Sequence, residues 1–97
     1  MVEIPDGYGP DDEIDHDAPE PVYLQLAAVL VARIKRGDYP PRRAVPGVDR
    51  LVQEFGIARG TARKTLVFLA EKGIVQTVVG KGSFVIESSQ ESGDASE

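Results

Sequence analysis

The chain has no cysteine, a single histidine, and no lysine or arginine in its first 20 residues. Without cysteine there is no disulfide, no thiolate metal site and no cysteine nucleophile, which fits a reducing compartment. His16, the only imidazole, lies in an acidic leader expected to be disordered, so triad and general-base chemistry lack an ordered base. "DDEIDHD" (11–17) lacks the central glycine and distant glutamate of a calcium loop. "GKGS" (80–83) matches only the end of a phosphate-binding loop, without the first glycine at the required distance. No enzyme, metal or cofactor is expected.

Long apolar runs are absent too. A membrane-spanning helix needs roughly 18–20 apolar residues. The longest candidate, "VYLQLAAVLVARIKRG" (22–37), is interrupted by Gln25 and closes on Arg33, Lys35 and Arg36. Met1 does not lead into a basic region followed by an apolar one, so no signal peptide is read. The expectation is a soluble, cytoplasmic chain.

Charge is abundant but segregated. Residues 1–20 hold eight acids, and residues 87–97 hold four acids with no lysine or arginine. Residues 21–86 keep all 11 basic residues against four acids, Asp38, Asp49, Glu54 and Glu71. The core therefore carries +7 between flanks of −8 and −4, within a chain of −5. Exposed charges are screened beyond about 8–10 Å at physiological salt, so the basic core rather than the average decides which ligands are attracted. A polyanion such as nucleic acid fits that core.

The leader, 1–20, has three prolines, two glycines and few apolar residues, and is expected to be disordered; so is the acidic tail, 88–97. From Pro21 the pattern turns helical. Tyr23, Leu26, Ala27, Leu30 and Ile34 form one stripe, ending at Gly37. "DYPPRRAVPG" must be extended, because each proline biases the residue before it away from helix. A short helix over 48–55 turns inward with Val48, Leu51, Val52 and Phe55. After Gly56 a third helix, about 59–72, buries Ala62, Leu66, Leu69 and Thr65 and stops at Gly73. Two β-rich runs, 74–79 and 83–87, flank Gly80-Lys81-Gly82 as a hairpin. The fold class is α+β: a winged helix-turn-helix over 21–87, three helices followed by a β-hairpin wing.

The third helix carries the chemistry. Arg59 and Arg63, four apart, share a face, with Gly60, Thr61 and Lys64 beside them. In helix-turn-helix proteins the start of the second motif helix meets base edges in the major groove. Arginine can pair with guanine O6 and N7, and threonine can reach a phosphate or a base. Lys81, between Gly80 and Gly82, is placed for a phosphate or the adjacent minor groove. Arg42, Arg43 and Arg50 are candidates for backbone contacts. Charged helical clusters are also often plain solvated surface, and that alternative stands beside the DNA reading.

The register of "PVYLQLA", "I-x-x-G-x-Y-x-P", "FGIARGTARKTLVFL" and "KGIV…GKGSFV" resembles the winged-helix DNA-binding domain of the GntR family of bacterial transcription regulators, over residues 21–85. The resemblance implies that Arg59, Thr61 and Arg63 occupy DNA-contacting positions and that Gly80 sits where the wing enters the minor groove. It also implies a double-stranded DNA partner and a homodimer on an inverted repeat. Typical members carry a C-terminal metabolite-binding domain. This chain ends about eleven residues past the wing, so no small-molecule effector is expected within it.

Three positions depart from the family pattern. Where members read L-P-S-x-R-x-L, this chain reads "VPGVDRL", with Gly47 for the serine cap and Asp49 for the arginine. Gly47 costs only a few tenths of a kcal/mol, whereas Ala58 in place of a Ser or Thr cap costs about 0.5–2 kcal/mol. The Asp49 carboxylate is expected to repel phosphate. Two further readings stay open: a winged helix used for protein contact, and a sequence-neutral architectural binder. The acidic leader raises one more expectation, that it competes with DNA for the basic core.

Overall fold

Pro21 starts the first helix, its carbonyl accepting from Leu24 N (3.0 Å) and Gln25 N (3.1 Å). From there the computed structural model, which describes residues 3–86, runs α1 (Val22–Arg36), α2 (Val48–Phe55), α3 (Arg59–Glu71), β1 (Val75–Val78) and β2 (Gly82–Val85). Helix α1 closes at Gly37, whose N–H donates to Ile34 O while Asp38 N–H reaches back to Arg33 O, both at 3.0 Å. That pair of bonds is the glycine-terminated cap expected of a helix ending in Arg33, Lys35 and Arg36.

The core is where the three helices meet. Leu26, Leu30, Leu51 and Leu69 are fully buried, with Val75 and Val85 closing it from the hairpin. Val48, Val52 and Phe55 of α2 pack against it half-buried. Helix α3 turns Ala62, Thr65, Leu66, Phe68 and Leu69 inward. Phe68, which the sequence reading left out of the core, meets Tyr23 edge-on with ring centroids 5.7 Å apart. Thr65 is acceptable inside because its hydroxyl donates to Thr61 O (2.9 Å), with Tyr23 O at 3.3 Å.

Between α2 and α3 the chain needs a tight reversal. Gly56 supplies it at φ 65°, donating its N–H to Val52 O at 3.0 Å, and Ile57 is buried as the turn's anchor. Ala58 begins α3 without a side-chain cap, as the sequence implied.

The wing is an antiparallel pair with Val75 opposite Val85 and Val78 opposite Gly82. Alternation puts Val75, Ser83 and Val85 inside. The strands are shorter than the predicted 74–79 and 83–87; residue 87 lies outside the described residues, as does the tail 88–97. The proline-rich loop after α1 is extended only in its second half, against expectation: Arg43 N closes a turn on Pro40 O (3.0 Å) with Arg42 at φ 69°, and the chain from this turn onward pairs. Arg42 N donates to Val85 O (2.8 Å), Val85 N to Arg43 O (2.9 Å) and Val45 N to Ser83 O (2.9 Å). Ala44 bridges Phe84, so the root of the wing is backed by a third extended segment.

The leader is the main departure from expectation. Residues 24–30 are all buried, and seven consecutive helical residues cannot lie on one face. Helix α1 is therefore covered twice, by α3 on one side and by residues 3–20 on the other. Ile4 and Ile14 pack against the core. Gln25, wholly buried, accepts from Asp15 N (2.9 Å) and donates to Asp15 O (2.9 Å) and Glu20 O (2.8 Å). Arg33 Nε donates to Pro10 O at 2.8 Å. Average composition pointed to disorder because it counts apolar residues without regard to place. Two isoleucines and a glutamine–backbone clasp hold this segment.

Two predictions follow from this packing. Gln25→Ala strips three hydrogen bonds from leader backbone, and should lower unfolding free energy by about 1–3 kcal/mol. Hydrogen exchange should accelerate over residues 3–20 first; unchanged protection there would remove Gln25 as the anchor. Leu51→Ala, in the fully buried centre, should cost about 2–5 kcal/mol across the whole domain in urea denaturation.

Candidate nucleic-acid interface

Five inward positions on α3 leave its opposite side to solvent. Arg59, Gly60, Arg63 and Lys64 are exposed there and Thr61 is half-buried. Arg59 and Arg63 stand one turn apart on the exposed side, at the helix's N-terminal end. No Cβ added at Gly60 would meet another atom within 4 Å, so its lack of a side chain keeps that surface low rather than relieving an internal clash.

The wing tip supplies a second exposed element. Lys81 N–H closes the turn onto Val78 O at 3.0 Å, and Gly80 (φ 81°) and Gly82 (φ 121°) take conformations that side chains disfavour. Lys81 points to solvent and Val79 is 95% exposed. Arg42, Arg43 and Arg50 are exposed as well. Arg42, at φ 69° in the turn, and Arg43, which follows it, are tied to the root of the wing by backbone bonds to Val85, while Arg50 projects from the first turn of α2.

Ion pairing divides the basic residues into two groups. Arg33 bonds Glu54 (2.6 Å) and Tyr39 Oη (3.1 Å) and stacks over Phe55 at 5.1 Å. The bond to Glu54 raises its affinity for its proton further. Arg36 bridges Asp38 (2.6 Å) and Asp11 (3.0 Å), and that guanidinium holds the Asp38 carboxyl below the usual carboxylate range. Lys72 lies 3.8 Å from Glu3. Arg42, Arg43, Arg50, Arg63, Lys64 and Lys81 form no ion pair among the described residues. The leader's described carboxylates thus engage Arg36 and Lys72, and none pairs with the candidate residues. The expected competition between leader and DNA has no contact to support it among the described residues.

Two details escaped the sequence reading. Lys64 Nζ lies 4.3 Å from the centre of the Tyr23 ring, so its ammonium rests on α1. Arg59 Nη1 pairs with Asp49 Oδ1 across the turn between α2 and α3. The sequence alone gives Asp49 only as a carboxylate that repels phosphate. The signal was available, since Asp49 lies in the first turn of α2 and Arg59 opens α3, on either side of a short motif. Both side chains remain largely exposed, at 79% and 60%. Exposed pairs contribute about 0–1 kcal/mol to stability.

Comparison with known proteins identifies the family of this fold. The sequence profile described as "Bacterial regulatory proteins, gntR family" matches residues 22–85. The HTH-type transcriptional repressor NagR of Bacillus subtilis (strain 168) is 32% identical over 78 residues, covering 80% of this chain and 32% of NagR. The mannosyl-D-glycerate transport/metabolism system repressor MngR of Escherichia coli (strain K12) is 37% identical over 68 residues, 70% of this chain and 28% of MngR. The chain thus spans about a third or less of the length of these relatives. Among solved structures, AraR(DBD) in complex with operator ORE1 superposes with a TM-score of 0.66 at 30% identity, covering 74% of this chain and 88% of that one. YtrA from Sulfolobus acidocaldarius, a GntR-family transcription factor, gives 0.66 at 27% identity, covering 79% of this chain and 65% of that one. With the matched residues taking in all three helices and the wing, the chain belongs to the gntR family of bacterial regulatory proteins.

Proposed function

We propose that this chain is a sequence-specific DNA-binding transcription regulator that reads double-stranded DNA with α3 and the wing. The observation that carries the reading is the two-sided build of α3: one side is consumed by the core, and Arg59 and Arg63 stand on the other at its N-terminal end, with half-buried Thr61 at the border of the two. In helix-turn-helix binding that end enters the major groove. Arg63 and Arg59 are assigned to base edges, with Gly60 allowing close approach and Thr61 contacting base or phosphate. Lys81, flanked by Gly80 and Gly82, follows the backbone or minor groove beside it. Arg42, Arg43, Arg50 and Lys64 contribute phosphate contacts. Lys64 must swing off Tyr23 to do so, a cation–π contact worth about 0.5–1 kcal/mol at exposed sites.

Operator complexes of AraR(DBD) support the mode of binding, since that domain shares this fold at 28–30% identity. Two copies on an inverted repeat would place their α3 helices about 34–36 Å apart, one turn of DNA. The neutralised Arg59–Asp49 pair favours a second reading, protein contact, because it removes one positive charge from the surface DNA would meet.

Selection of genomic DNA fragments by the purified protein separates these readings. A discrete enriched motif is expected, with Arg63→Ala losing about ten- to a hundredfold in affinity for it. Retention of fragments without a motif would point to an architectural binder, and no retention at low salt to protein contact. Lys81→Ala has a different expected signature. It should weaken binding to all sequences alike and reduce the slope of log affinity against log salt by about 0.9. A sequence-dependent loss would reassign Lys81 to base reading.

A further inference from the structure

Asp49 is the one acid of residues 21–86 whose ion-pair partner lies on the candidate reading surface; Asp38 and Glu54 pair with Arg36 and Arg33 of α1. A lone carboxylate there opposes every phosphate that approaches. Folding gives it little reason to stay, because both partners are largely exposed and such pairs add little stability. The detail that matters is which atoms are used. Asp49 Oδ1 takes Nη1 of Arg59, and among the described residues no other guanidinium nitrogen of Arg59 has a protein acceptor. The edge formed by Nε and Nη2 stays open, with two parallel N–H donors. Two parallel donors are what the O6 and N7 acceptors of guanine require in the major groove.

We propose that Asp49 and Arg59 act as a single reading unit for a guanine, with Asp49 the positioning residue. Holding Nη1 restricts the rotamers of a long, flexible side chain and presents its free edge at the N-terminus of α3. The same bond cancels the charge of Arg59, so the unit contributes almost nothing to sequence-neutral attraction. It rewards the matching base and penalises bare phosphate. In this chain the carboxylate that looked like a defect in a DNA-binding surface is a discriminator, trading general affinity for selectivity. The inference rests on the site-reading function proposed above.

The test is selection from duplexes with a randomised central segment, using wild type, Asp49→Ala, Arg59→Ala and the double variant. Thermal unfolding confirms that each is folded. Wild type should enrich a motif in which one guanine depends on Arg59. Asp49→Ala should bind random duplex several-fold more tightly, with the log–log salt slope steeper by about 0.9 as Arg59 is released to phosphate. Its preference for that guanine should drop about tenfold. In the Arg59→Ala background, Asp49→Ala should leave base preference unchanged. If Asp49→Ala tightens binding but keeps the guanine preference intact, Asp49 is only an opposing charge and the unit does not exist. If Arg59→Ala keeps every base preference of a motif that Arg63→Ala abolishes, the proposal fails while the regulator reading survives. If wild type enriches no motif, the regulator reading fails first and takes the proposal with it.

Discussion

Helix α3 can present only what its burial leaves over. Ala62, Thr65, Leu66, Phe68 and Leu69 are fixed by α1, α2 and the hairpin, and a helix with 3.6 residues per turn then has no freedom in where Arg59 and Arg63 project. Packing is thus the device that aims the polar side chains. The short turn at Gly56 and Ile57 sets where the helix starts, and Thr65, bonded to Thr61 and near Tyr23 of α1, knits the reading end to the framework. Loosening any of these would blur the exposed side without touching a single residue on it.

Electrostatically the molecule is two territories. Around the C-terminal end of α1, Arg33 and Arg36 are matched with acids from the leader, the following loop and α2. Across α3, the wing, α2 and the loop before it, six basic residues stand unmatched among the described residues. Screening confines each territory to its own neighbourhood. A chain with a formal charge of −5 can therefore still offer a strongly positive surface to a polyanion.

Periodicity and punctuation made the helices, the wing and the core stripe legible in the sequence. Leucines at helical spacing ended by Gly37, Gly56 and Gly73 leave few alternatives, and the exposed arginines follow from the buried positions by subtraction. Three things were not legible, each for the same reason. Gln25 looked like a break in an apolar run, Asp49 like a stray charge, and Lys64 like a free cation. All three are defined by a partner from another element, and a linear pattern carries no information about partners. The turn at Pro40–Arg43 and the pairing of residues 42–45 with β2 were missed likewise, because prolines exclude helix without saying where the chain turns or which strand lies beside it.

The clasp between Gln25 and the acidic segment bears on where this protein begins as a folding unit. The family profile matches from residue 22, whereas Ile4 and Ile14, well before it, already pack against the core. Family match and packing thus draw the boundary in different places. With α3 on one side and the leader on the other, α1 is an interior helix of this domain rather than its outer wall.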